Sequence, residues 1–120
     1  MARILSVDDS NSVRQMVAFA LKSAGHEVEQ AEDGVEAFSK ASAGQFDLIL
    51  SDVNMPNMNG LELTKKLRET EQYKFTPIIL LTTESGSDMK SQGKEVGATG
   101  WIVKPFNPEK LLATIQKVVS

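Results

Sequence analysis

"DLILSDVNMPNMNG", residues 47–60, runs an apolar stretch into a carboxylate and then into a loop rich in Asn, Met and Pro. Leu48, Ile49 and Leu50 read as a strand covered on both faces, because a strand with one wet face alternates apolar with polar residues. Strands of that kind belong to parallel sheets, and ligands gather beyond their carboxyl ends. Asp52 stands at such an end, placed for chemistry or for solvent, and the rest of the chain decides between the two.

Outward from this stretch one pattern recurs five times: a short apolar run, then a helical spacing of apolar residues. "ILSV" (residues 4–7) precedes Val13, Met16, Val17, Ala20, Leu21 and Ala24, which together draw one helix face. Gly25 closes that helix from the C-terminal side. "HEVEQA" (26–31) alternates polar with apolar, as an edge strand does, and Ala37, Phe38 and Ala41 mark a second helix after Asp33 and Gly34. "DLILS" leads through its loop to Leu63 and Leu67 on a third helix, and Pro77 opens "IILLT" (78–82). A polar segment (85–96), the strand "GWIV" (100–103) and a helix after Pro108, with Leu111, Leu112, Ile115, Val118 and Val119 inward, complete the series. The expected fold class is α/β: a flavodoxin-like, doubly wound, five-stranded parallel sheet of order 2-1-3-4-5 with helices on both faces. Residues 1–120 read as a single domain without an effector domain.

A chain of 120 residues is long enough to bury a core without staples, and 41% hydrophobic with 24% charged residues excludes disordered and fibrous classes. The absence of cysteine excludes disulfides, thiol catalysis and thiolate metal sites. No apolar run approaches the roughly 18 residues of a membrane span, and "MARILSVDD" turns acidic too soon for a secretory signal. The expectation is a soluble, cytoplasmic monomer without membrane insertion. Residues 1–83 hold 8 basic and 12 acidic side chains and residues 84–120 hold 5 and 4, with no Lys/Arg stripe to neutralise phosphates. Nucleic acid is therefore not an expected partner.

The residues that follow each apolar run are selective. Asp8 and Asp9 come after the first, Asp52 after the third, Thr82 and Thr83 after the fourth, and Lys104 after the fifth. Three carboxylates on two neighbouring strands repel one another unless a cation joins them. All-oxygen ligation suits a hard ion, most simply Mg²⁺. The Thr82 hydroxyl and the Lys104 ammonium then serve the anion that meets the metal, most economically a phosphoryl group.

At "VDDS" (7–10), "SDVNMPNMNGLEL" (51–63), "LLTTES" (80–85) and "GWIVKPF" (100–106) the sequence resembles the receiver domains of two-component response regulators, above all the single-domain chemotaxis regulators of the CheY type. The resemblance implies that Asp52 is the phosphoacceptor, that Asp8, Asp9 and Asp52 hold Mg²⁺ with the backbone carbonyl of Asn54, and that Thr82 and Lys104 bind the phosphoryl oxygens. It implies a cis Lys104–Pro105 bond. The implied donor is a phospho-histidine on a sensor histidine kinase of the chemotaxis type. The implied output is phosphorylation-dependent binding to a flagellar motor switch protein, with a phosphatase as a further partner. The implied partner surface runs from Lys90 to Lys117, including Lys94, Trp101 and Lys110. Trp101 stands where chemotaxis regulators commonly have Tyr, and Thr83 is bulkier than the small residue often found after the switch Thr.

Taken singly, each residue has an ordinary reading. Asp8 and Asp9 suit a helix N-terminus, Asp52 a turn, Thr82 a strand, Lys104 a surface and Trp101 a core. Four motifs in order at four strand ends favour the functional reading. His26, the only histidine, falls on the edge strand away from those ends and reads as surface. Haloacid-dehalogenase-like phosphatases also form an aspartyl phosphate after a parallel strand, but they place a second Asp two residues later. Here that position is Asn54, whose amide cannot shuttle a proton, so self-catalysed phosphoryl acceptance is expected in place of multiple-turnover catalysis. The alternative output is that of a phosphorelay intermediate or a regulator of a non-flagellar partner.

Overall fold

Alternate residues of the central strands face opposite sides of a sheet, and here both sets are apolar. The computed structural model describes residues 2–83 and 87–119, so the "ES" end of "LLTTES" lies outside the described residues. In chain order the elements are β1 (Arg3–Val7), α1 (Asn11–Ser23), β2 (Glu27–Ala31), α2 (Gly34–Ala43), β3 (Leu48–Asp52), α3 (Gly60–Arg68), β4 (Ile78–Thr82), α4 (Ser87–Val96), β5 (Gly100–Val103) and α5 (Pro108–Val119). All strand pairs are parallel, in the order β2-β1-β3-β4-β5.

Ile4, Leu48, Leu50, Ile79, Leu81 and Ile102 point to one face and pack on Val17, Ala20 and Leu21 of α1 and Leu111 and Ile115 of α5. Leu5, Val7, Ile49 and Ile78 point to the other, under Ala37 and Ala41 of α2, Leu63 and Leu67 of α3, and Tyr73. Each fully buried Leu or Ile contributes about 1.5–3 kcal/mol relative to exposure. A one-residue slip of any central strand would exchange the two apolar sets, so packing fixes the register. β2 lies at an edge and only Ala31 of its residues is buried. Among the described residues no helix is long and apolar enough to cross a membrane.

The local signals act where they stand in the sequence. Ser10 caps α1 by accepting from Val13 N, and the helix ends at Ser23 with Ala24 exposed as its C-cap and Gly25 turning the chain at φ +91°. Asp33 caps α2, and Asn59 with Glu62 forms a reciprocal capping box that starts α3. The Lys104–Pro105 peptide is cis.

Gly60 shows how tightly the loop after β3 is folded back. Its N–H donates to Val53 O at 2.9 Å. A Cβ there would lie 2.3 Å from the Asp52 carbonyl oxygen and 3.1 Å from Val53 Cα. These are backbone atoms that no rotamer change can clear, so Gly60→Ala is expected to destabilise the fold by about 1–3 kcal/mol. Urea unfolding checks this, and an unchanged midpoint would show that the loop yields.

Candidate functional site

The register of the sheet gathers the polar residues that follow its strands. Val7 pairs with Ser51, so Asp8, just beyond β1, lies level with Asp52, the last residue of β3. Thr82 ends β4 beside Val103, and its carbonyl accepts from Lys104 N at 2.7 Å. The ends of β1, β3, β4 and β5 thereby form one edge.

Asp8 is 1% exposed and Asp52 7%, whereas Asp9 faces solvent. One carboxylate oxygen from each of the three lies within 4.8 Å of the others. The two oxygens of Asp8 are divided: Oδ1 accepts from Ser10 N at 2.9 Å, and Oδ2 meets Lys104 Nζ at 3.0 Å. The same ammonium lies 3.1 Å from Asp52 Oδ1. Lys104 thus bridges the two buried acids, and β5 is tied across the sheet to β1.

Among the described residues one ammonium meets two of the three clustered carboxylates, which leaves negative charge in excess. Burial, and then the charge of Asp8, push the Asp52 carboxyl above its usual range, and the Lys104 contact offsets only part of this. For Lys104 burial works against the charge, but its hydrogen bonds to Asp8 and Asp52 prevail and hold its proton more firmly than usual. Clustered carboxylate oxygens, one of them open to water, with residual negative charge, fit a hard divalent cation that retains part of its hydration.

Thr82 is fully buried at the end of β4. Asn54 is exposed in the loop after β3. That loop is latched to its neighbour: Asn57, at φ +67°, donates from Nδ2 to Asp33 Oδ2 at 2.7 Å, and Gly34 N donates to Met58 O. Trp101, half-buried on β5, pairs with Leu80 and packs against it and Val53. Lys90 Nζ stands 5.5 Å from the indole centroid, a cation–π distance. Lys90, Lys94 and Trp101 line one groove, whereas Lys110 and Lys117 are exposed on α5 and do not line it. His26 is half-buried at the opposite end of the strands, its Nδ1 accepting from Ala2 N at 3.1 Å. Sequence reasoning missed Arg14, a buried side chain whose Nη1 donates to the Asp8 carbonyl at 2.6 Å. The signal was present in the spacing, since 14, 17, 18 and 21 form a single helical stripe.

A parallel five-stranded sheet of this order, with three acids, a threonine and a lysine at its carboxyl edge, defines a receiver-type signalling module. The chain belongs to the response regulator receiver domain family, which matches residues 4–116. It is 60% identical to the chemotaxis protein CheY4 of Vibrio cholerae, whose structure matches at a TM-score of 0.96 over 98% of both chains. It is 40% identical over 119 residues to the chemotaxis protein CheY1 of Helicobacter pylori, across 98% of this chain and 96% of that one. The phosphate regulon transcriptional regulatory protein PhoB of Pseudomonas aeruginosa is 41% identical over 116 residues, and this chain spans about half of its length, 51%. Receiver domains are signalling modules, not multiple-turnover enzymes, and bind Mg²⁺ at an acid cluster of the kind formed by Asp8, Asp9 and Asp52.

Proposed function

We propose that this receiver domain accepts a phosphoryl group on Asp52 from a phospho-histidine of a sensor histidine kinase and signals in the cytoplasm by binding a flagellar motor switch protein. The observation that carries the reading is the Asp52 carboxylate at a strand end with the Lys104 ammonium 3.1 Å away. An Asp52 oxygen attacks phosphorus in line, the bond from phosphorus to the histidine nitrogen breaks, and its electron pair leaves on the imidazole. Lys104 and the Thr82 hydroxyl take the phosphoryl oxygens, so that charge is met by groups already in place. Asp8, Asp9, Asp52 and the Asn54 carbonyl would hold Mg²⁺, which supplies further neutralisation of the phosphoryl oxygens. Burial raises the proton affinity of Asp52, so a cation at the site also favours the ionised nucleophile. Asn54 offers no acid to speed hydrolysis, which suits a phosphate that persists as a signal.

Output is assigned to the groove of Lys90, Lys94 and Trp101, continuous through β5 with Lys104. A Thr82 drawn toward the phosphoryl group leaves room beside Trp101, and the indole follows. The test joins two readouts. With acetyl phosphate and Mg²⁺, intact mass spectrometry should show one added phosphoryl group on the wild type and none on Asp52→Asn, because an amide is a poor nucleophile. With beryllofluoride and Mg²⁺, the immobilised wild type should retain a flagellar switch protein that it releases without them. Equal labelling of both proteins would move the acceptor elsewhere; labelling without retention would overturn the flagellar output alone.

A further inference from the structure

Asp9 is the open member of the acid cluster, and no hydrogen bond to its carboxylate is seen among the described residues. Its direction must therefore be inherited from the backbone that precedes it. That backbone is held on both sides of Asp8: Asp8 N donates to Ala31 O at 3.1 Å, and the Asp8 carbonyl accepts from Arg14 Nη1 at 2.6 Å. The second bond fixes the plane of the peptide joining Asp8 to Asp9, because a planar peptide carries the next N–Cα bond with its carbonyl. The guanidinium is itself anchored. Nη2 donates to Asn11 Oδ1 at 3.2 Å and lies 3.8 Å from Glu32 Oε1, and the side chain is only 10% exposed.

We propose that Arg14 is a positioning residue for the metal site: through the Asp8 carbonyl it sets the turn that brings the Asp9 carboxylate beside those of Asp8 and Asp52. The inference rests on the proposed Mg²⁺ site and concerns how this chain builds it. Burying a guanidinium is costly unless its donors are met. Here they are met by a backbone carbonyl at the acid cluster, an amide in the first turn of α1 and an outlying acid. Arg14 does not touch the acid carboxylates themselves.

The sign of the effect separates positioning from simple charge. A cation near the cluster repels Mg²⁺, so removing it for charge alone would tighten binding; removing a clamp that aims a ligand weakens it. Groups that orient metal ligands typically change affinity 10–100-fold when lost. Backbone amide shifts in an NMR titration with Mg²⁺ alone are the readout, since they report affinity in the folded molecules whatever the global stability. Arg14→Met is expected to raise the Mg²⁺ dissociation constant about tenfold or more, with the largest change of shift at the Asp9 amide. Arg14→Lys keeps the charge but loses the fork that spans Asp8 and Asn11, so it should weaken binding to a smaller extent. Should Arg14→Met not fold, Arg14→Lys decides alone. Binding as tight as the wild type's in the lysine variant, or tighter in the methionine variant, overturns the proposal and leaves the site intact. A wild type with no saturating shifts overturns the metal reading and the role of Arg14 with it.

Discussion

Lys104→Met is expected to slow phosphoryl acceptance from acetyl phosphate by about two to three orders of magnitude, the loss typical of deleting one preorganised donor to a developing charge. Its Nζ stands 3.1 Å from the proposed nucleophile and 3.0 Å from Asp8, and on the proposed mechanism it meets the phosphoryl oxygens as the group transfers. Methionine keeps much of the length and loses the charge, so the site keeps its shape. The same change should tighten Mg²⁺ binding, because Asp8 and Asp52 lose the ammonium between them and the acid cluster keeps more of its negative charge. Opposite signs for rate and metal affinity are hard to obtain from misfolding, which weakens both. Time courses of intact mass at saturating Mg²⁺ give the rate. A rate within a few-fold of the wild type would remove Lys104 from the chemistry and leave it as a structural counter-ion of Asp8.

The double contact of Lys104, with Asp8 as well as Asp52, was not legible in the sequence, although its place at the same strand edge was. The strand runs gave the sheet because both faces are covered, and covered strands cannot hide among amphipathic patterns: Leu48–Asp52 and Ile78–Thr82 are buried throughout. The polar residue after each run then fell at one edge, since parallel strands all end on the same side. Helix limits were legible at Asp33 and Gly25, where a side chain and a glycine impose them, whereas the Ser10 cap of α1 was not singled out. Ala24, placed on the helical stripe by spacing, ends as an exposed C-cap because Gly25 has already turned the chain.

What stayed illegible depends on contacts distant in sequence. The burial of Arg14 was legible in its spacing with Val17, Ala18 and Leu21, but its partner, the Asp8 carbonyl, was not, because only the folded turn after β1 brings the two together. The Asn57–Asp33 latch joins two loops 24 residues apart. Tyr73, in a polar stretch with no periodicity, is fully buried because its hydroxyl reaches Ala41 O at 2.7 Å. Lys90 carried no sign that it would sit over Trp101, since cation–π geometry is set by how α4 lies on β5. Periodicity reports which face is apolar; it does not report which polar group finds which partner.

In Mg²⁺-free buffer at neutral pH, Asp52→Asn is expected to be more stable than the wild type, by about 1–3 kcal/mol if relief of a buried group's desolvation sets the scale. Burial first, and the Asp8 charge second, raise the folded carboxyl above its usual 3.8. A carboxyl raised in the folded state binds more protons there than in the unfolded chain, so its charged form costs stability. That cost is absent below 3.8, where both states are protonated. It grows as pH rises from 3.8 through the raised value and is complete above it. The asparagine variant lacks this dependence while Lys104 keeps its Asp8 partner at 3.0 Å. The stability gap between the two proteins should therefore open with rising pH across that window and close on acidification. Mg²⁺ should narrow it at neutral pH, because the cation stabilises the ionised wild-type cluster by mass action and finds one carboxylate fewer in the variant. Urea midpoints measured across acidic to neutral pH, with chelator and with Mg²⁺, follow both effects. A wild type more stable than Asp52→Asn without metal at neutral pH would show that the Lys104 ion pair outweighs burial and the repulsion from Asp8, reversing the balance drawn here for the folded site.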